Sequence, residues 1–128
     1  MRKIENQVNA IFWNCAKRTV ENEKNETIKL SIRDKIVTDA MKTAYYLHDT
    51  CICVFDKMDR DFFFCPSSAG AIENVISQTT KSRLNAIFEN HFNVSFKQKN
   101  YSLYLGTKEI EADKKYKMLD DMNFQELK

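Results

Sequence analysis

Glycine and proline are almost missing from this sequence, with two glycines and one proline among 128 residues. Phosphate loops of the P-loop or dinucleotide type need several glycines within a few positions, so both are excluded. No stretch approaches the roughly 20 apolar residues that cross a bilayer, and no membrane span is expected. The opening residues, Met1-Arg2-Lys3-Ile4-Glu5-Asn6-Gln7, carry no apolar run of the signal-peptide kind. The expected location is therefore the cytoplasm, where Cys15, Cys51, Cys53 and Cys65 would be free thiols. An excess of one charge is missing too. Twenty basic residues against 18 acidic ones leave +2, so any affinity for a polyanion must come from local clustering.

What is present suffices for a core. Hydrophobic residues at 43% and aromatics at 12% argue against global disorder. A chain this long can bury about two-thirds of its unfolded surface, and one domain is expected over residues 1–128. Ile4, Val8, Ile11, Phe12 and Cys15 follow three- and four-residue spacing, which predicts a helix from about Arg2 to Lys17. Trp13 falls off that stripe, as a partly buried edge residue or an aromatic for a partner.

After a polar interruption, Glu21 to Glu26, the period changes. Ile28, Leu30 and Ile32 alternate with Lys29, Ser31 and Arg33, the pattern of a strand with one wet face. Asp34 to Lys42 reads equally as extended chain or short helix. Ala44-Tyr45-Tyr46-Leu47 and Cys51-Ile52-Cys53-Val54-Phe55 form a hairpin candidate around His48-Asp49-Thr50, without a turn glycine. Phe62-Phe63-Phe64-Cys65 adds a third strand before Pro66, which makes the middle of the chain a meander. Ala69 to Ile76 suits a short helix. A second amphipathic helix starts at Thr79 or Thr80, with Leu84, Ile87, Phe88 and Phe92 as its apolar stripe. Strands are expected at Val94–Phe96 and Tyr101–Leu105, with a turn at Gln98-Lys99-Asn100 and a stop at Gly106. The charged tail, 108–128, holds a strand signal near Ile110 and Tyr116-Lys117-Met118 and a loose end. The expected fold is α+β: a small single domain with N-terminal and central helices packed on a mainly antiparallel sheet.

Few residue groups suit chemistry. Cys51 and Cys53, one residue apart, would share a strand face, and Cys65 with His48 or His91 could complete a zinc set. The thiols lie inside apolar runs without Cys-x₂-Cys knuckles, so they read as core residues and no metal is expected. No helix start favours a thiolate at either position, which leaves no catalytic candidate and no cofactor. Asp56, Asp59 and Asp61 lack the glycine of a cation loop and read as a solvated turn. His91 reads as a helix-end residue whose charge suits the terminus.

The segment Thr79-Thr80-Lys81-Ser82-Arg83 differs from these groups. N–H groups, hydroxyls and two cations at a positive helix end suit a phosphate or a carboxylate. Lys97 and Lys99 would widen the patch, and Tyr101 and Tyr104 offer rings for stacking. The candidate anion- or partner-binding residues are Thr80, Lys81, Ser82, Arg83, Lys97, Lys99 and Tyr101. The same residues also suit a well-capped surface helix with solubilising charges, so an ordinary surface, nucleic acid and an acidic protein all stand as readings.

Three runs carry a resemblance: Tyr46-Leu47-His48-Asp49-Thr50-Cys51-Ile52, Thr79-Thr80-Lys81-Ser82-Arg83-Leu84-Asn85-Ala86, and Gln98-Lys99-Asn100-Tyr101 with Tyr104-Leu105. Together they resemble a domain-of-unknown-function family of short phage and mobile-element proteins. The resemblance covers 43–106 well and 1–20 loosely. The sequence departs from it at Asp49, where the family usually has glycine, and in a longer segment between Phe64 and Thr79. The resemblance implies a phage or plasmid origin, a small α+β domain and no activity. The expected function is then a non-enzymatic interaction protein that binds a host macromolecule, an anti-defence or host-takeover factor in the host cytoplasm. The expected partner is a host protein. The alternative is a nucleic-acid-binding accessory protein using Lys81 and Arg83 at the helix start.

Overall fold

Alternation in the first half of the chain, joined by a hairpin near its C-terminal end, produces one antiparallel sheet, and the apolar stripes of two helices cover one face of it. The computed structural model describes residues 3–18, 25–66 and 76–127, and among these there are two helices and ten strands. The fold is α+β, as expected. Helix α1 runs Lys3–Lys17. Strands β1 (Glu26–Lys29), β2 (Asp34–Thr38), β3 (Lys42–Leu47), β4 (Thr50–Asp56) and β5 (Asp61–Phe64) follow as a meander. Helix α2 is Gln78–Phe92. Strands β6 (Phe96–Lys99), β7 (Ser102–Leu105) and β8 (Lys108–Ile110) make a separate three-stranded sheet. Strands β9 (Tyr116–Asp120) and β10 (Asn123–Glu126) return to the large sheet, whose order is β1-β2-β3-β4-β5-β9-β10.

The segment that reads either way, Asp34 to Lys42, is strand β2 followed by a turn. The expected strand from Ile28 to Ile32 stops at Lys29, and Ile32 lies fully outside in the connection. The Ser31 hydroxyl accepts the N–H groups of Arg33 and Asp34, both at 3.0 Å, and so diverts them from a continuing ladder. The β3–β4 hairpin turns on His48 and Asp49, with φ of 52° and 63°. Both central residues of a type I′ turn need positive φ, which this hairpin achieves without glycine. The β6–β7 hairpin repeats the device one step later than expected, on Asn100 and Tyr101, with φ of 52° and 63°. Gly106 does need to be glycine, because its φ is 65° and an added Cβ would lie 2.9 Å from Val94 Cγ2.

The register decides which aromatics form the core. Phe62 and Phe64 of β5 point toward the helices, and Phe63 between them points away. Phe62 meets Phe12 of α1 and Phe88 and Phe92 of α2, with ring centroids 5.0–6.0 Å apart. Phe88 also meets Phe64 and Phe96 at 5.1 and 4.8 Å, so the small sheet shares this core. Trp13 lies inside it, contrary to the sequence expectation. Its indole N–H donates to the Ile87 carbonyl at 3.0 Å, and its ring stacks on His91 at 3.6 Å. A residue beside the α1 stripe is buried because α2 crosses there. The tail, expected to be loose at its end, is paired as far as Glu126. Strand β9 pairs with β5 and β10 with β9, and the Met122 N–H reaches the Phe92 carbonyl at 3.2 Å. The expected short helix at Ala69 to Ile76 lies outside the described residues, except for the buried Ile76.

Candidate anion-binding cleft

The cap of helix α2 lies two or three residues before Thr79 and Thr80, the two that the sequence offers. Ser77 is the N-cap; its hydroxyl accepts the Thr80 N–H at 3.1 Å and bonds the Thr80 hydroxyl at 2.9 Å. Thr80 is therefore spent on the cap. Ser82, one turn in, donates its hydroxyl to Glu5 of α1. Neither hydroxyl is directed at an anion from outside.

Arg83 departs most from the sequence expectation of a surface cation. It is 4% exposed, and its Nε donates to Asp34 Oδ1 at 2.7 Å. Asp34 also accepts from the Ser31 hydroxyl at 2.6 Å and from the Tyr45 hydroxyl. Burial pushes the Asp34 carboxyl up, but the hydrogen bonds from Ser31, Tyr45 and Arg83 and the Arg83 charge outweigh it and hold the group below its usual range. Burial and the neighbouring carboxylate raise the Tyr45 phenol far above its usual value. This constellation is a closed ion pair joining α2 to β2 and β3.

The remaining cations converge elsewhere. Asn85, one helical turn after Lys81, accepts the Phe96 N–H at 2.6 Å and donates to the Phe96 carbonyl at 3.3 Å. The Gln98 amide does the same for Ile76, at 3.0 and 2.7 Å. These two amides hold β6 against the first turns of α2. The cleft between them, about 620 Å³, is lined by Lys81, Asn85, Lys97, Lys99 and Tyr104, with Phe96, Gln98 and Gly106 at its floor and edge. Lys97 and Lys99 share the outer face of β6, and Tyr104 stands opposite Lys97 in the register. Tyr101 lies apart from the cleft, at the tip of the hairpin that carries both lysines. It is 79% exposed with its backbone in the left-handed region, which a bulky side chain seldom adopts. Tyr104, one of the two rings the sequence offered for this patch, lines the cleft; Asn85 and Gln98 complete it, and the sequence did not single them out because their amides serve backbone groups that no local pattern marks.

The other candidate groups are dispersed. A bulge between Tyr45 and Tyr46 puts Cys53 opposite Tyr45 and Cys51 opposite Tyr46, so the two thiols face opposite sides of β4. Cys53 and Cys15 are core residues, whereas Cys51 and Cys65 are half-buried and line an open apolar depression with Val54, Phe63, Lys115 and Leu127. Burial raises both the Cys51 and Cys53 thiols, away from the reactive thiolate. Asp56 accepts the Met58 and Asp59 N–H groups at 2.9 and 3.2 Å, and Asp61 pairs with Lys117 at 3.3 Å. Among the described residues no three His, Cys, Asp or Glu side chains gather as a metal set. No described helix is long and apolar enough to cross a membrane.

The family model described as Kyanoviridae Gp96 protein matches residues 1–125. No curated protein and no solved structure matches the chain.

Proposed function

The chain belongs to the Kyanoviridae Gp96 protein family, and from that premise we propose that this phage-related protein acts without catalysis, by binding an acidic protein of its host. It would work in the host cytoplasm, as an anti-defence or host-takeover factor. The observation that carries the reading is the convergence of Lys81, Lys97 and Lys99 on one clamped cleft, with Tyr101 raised on the adjoining hairpin tip. Three lysines lining one cleft together with Tyr104 suit a short cluster of carboxylates. Tyrosine is also among the residues that most often dominate binding at interfaces.

The charge pattern favours protein over nucleic acid. Glu109 of β8 stands opposite Tyr104, on the face that carries Lys97. A continuous phosphate track over that face would meet this carboxylate, whereas a discrete acidic loop would not. Arg83 contributes no charge to the surface, which removes half of the helix-start pair on which nucleic-acid binding would rest.

The test is capture from host lysate with the wild-type chain and with Lys81, Lys97 and Lys99 all changed to alanine. The expected result is one host protein retained by the wild type, lost by the triple variant and insensitive to nuclease. Gel shifts with DNA and RNA should show no complex at low salt. Equal retention by both chains, or release by nuclease, overturns the reading.

A further inference from the structure

The connection between β1 and β2 presents one isoleucine to solvent on a turn whose backbone is tied by hydrogen bonds. Ile32 is 102% exposed, in the four residues Leu30 to Arg33. The Ser31 hydroxyl donates to Asp34 Oδ2 at 2.6 Å and accepts two backbone N–H groups at 3.0 Å. The N–H groups of Leu30 and Ser31 reach the Asp34 carbonyl at 2.9 and 3.3 Å, and the Arg33 carbonyl accepts the His48 N–H at 2.9 Å. Behind the turn, Arg83 and Tyr45 fix the Asp34 carboxylate. A buried ion pair thus anchors the base of a surface turn whose tip is apolar.

The surroundings of that tip are cationic. Lys29 and Lys35 stand directly opposite each other in the register, an arrangement that weakens strand pairing. Arg33 is exposed beside Ile32. Lys35 lies 5.1 Å over the Tyr46 ring and 3.6 Å from the fully exposed carboxylate of Asp49. Stability alone favours opposite charges at the 29–35 pair and a polar residue at the tip.

We infer that the Leu30–Arg33 turn is a docking tip: Ile32 enters an apolar pocket on a protein whose rim carries carboxylates for Lys29, Arg33 and Lys35. The turn needs no reordering on binding, so the penalty for fixing a loop is already met in the free chain. A lone aliphatic side chain in a desolvated pocket behaves as an anchor, and the surrounding charges steer the encounter. The inference stands apart from the lysine cleft and uses none of its residues.

The test replaces Ile32 in the full chain by a photoreactive diazirine analogue of leucine, followed by irradiation in host lysate and identification of adducts by mass spectrometry. The expected adduct is one host protein, suppressed by excess unlabelled wild-type chain. As competitor, Ile32→Asp should be weaker by on the order of 10- to 100-fold, and Ile32→Leu should stay within a few-fold of the wild type. The melting curve of Ile32→Asp should match the wild type, which excludes a folding defect. The triple lysine variant, used as competitor, reads the cleft separately: full competition by it counts against the cleft and leaves the tip standing. Three results overturn the tip: Ile32→Asp competing as well as the wild type, no protein adduct, or Ile32-dependent sedimentation with vesicles of 3:1 phosphatidylcholine to phosphatidylglycerol.

Discussion

Asp34 has no exposed surface and accepts hydrogen bonds from Ser31 in a turn, Tyr45 on β3 and Arg83 on α2. Removing Arg83 leaves that charge buried without its partner, so Arg83→Ala should lose roughly 3–5 kcal/mol in urea denaturation. Lys81→Ala, with its ammonium at the cleft, should change stability by less than about 0.5 kcal/mol in the same measurement. The folded Asp34 carboxyl sits below its unfolded value, so its contribution is complete above about pH 4 and is lost as pH falls through the folded value. Urea midpoints between pH 5 and 2 should show that loss in the wild type and not in Asp34→Asn, whose baseline is lower throughout. His91 behaves in the same sense at higher pH. Burial against Trp13 lowers its imidazole, Lys17 adds to this, and Asp121 opposes it. Neutral His91 is therefore the form the fold prefers, contrary to the favourable helix-end charge read from the sequence. Stability should decline as pH falls below about 6.5, and the decline should vanish in His91→Gln, read by the same midpoints. None of this was legible beforehand, because Asp34 and Arg83 are 49 positions apart and nothing near either one signals its partner.

At the scale of elements, the apolar stripes predicted the buried faces well. Val8, Phe12 and Cys15 of α1 and Leu84, Ile87, Phe88 and Phe92 of α2 are all buried. Phe88 touches Phe62, Phe64, Phe92 and Phe96, so Phe88→Ala should cost about 3–5 kcal/mol by chemical denaturation. A loss below about 1 kcal/mol would mean that α2 does not close the core. Element ends were less legible than element faces. Ser77 outcompetes Thr79 and Thr80 as the cap because Thr80 itself sits where its N–H can be captured. The β4 bulge is likewise invisible in Cys51-Ile52-Cys53, since a perfect alternation of thiols gives no sign of an inserted residue.

For the whole molecule, the decisive connection is the return of β9 to the edge of β5 after α2 and the small sheet have been built. Tyr116 stacks on Phe64 at 5.4 Å, and Met118 stands opposite Phe62, so the C-terminal hairpin completes the aromatic core. A chain ending after Ala112 should lose its cooperative melt, seen as loss of the near-ultraviolet circular dichroism of the buried Trp13. A sharp transition in that chain would show that β9 and β10 are accessory. From sequence alone, periodicity determined the two helices, the three meander strands between Ala44 and Cys65 and the α+β class, because three- to four-residue and two-residue spacings record which side of a local element is apolar; the strand at Asp34–Thr38 came only from the structure. Composition likewise excluded phosphate loops. Only the tertiary structure decided that Arg83 is an internal ion-pair partner, that Trp13 is core, and that Lys81 meets Lys97 and Lys99 in one cleft. Each of those outcomes depends on which distant element packs alongside. A cation or an indole reads the same in sequence whether its neighbour is water or a buried carboxylate.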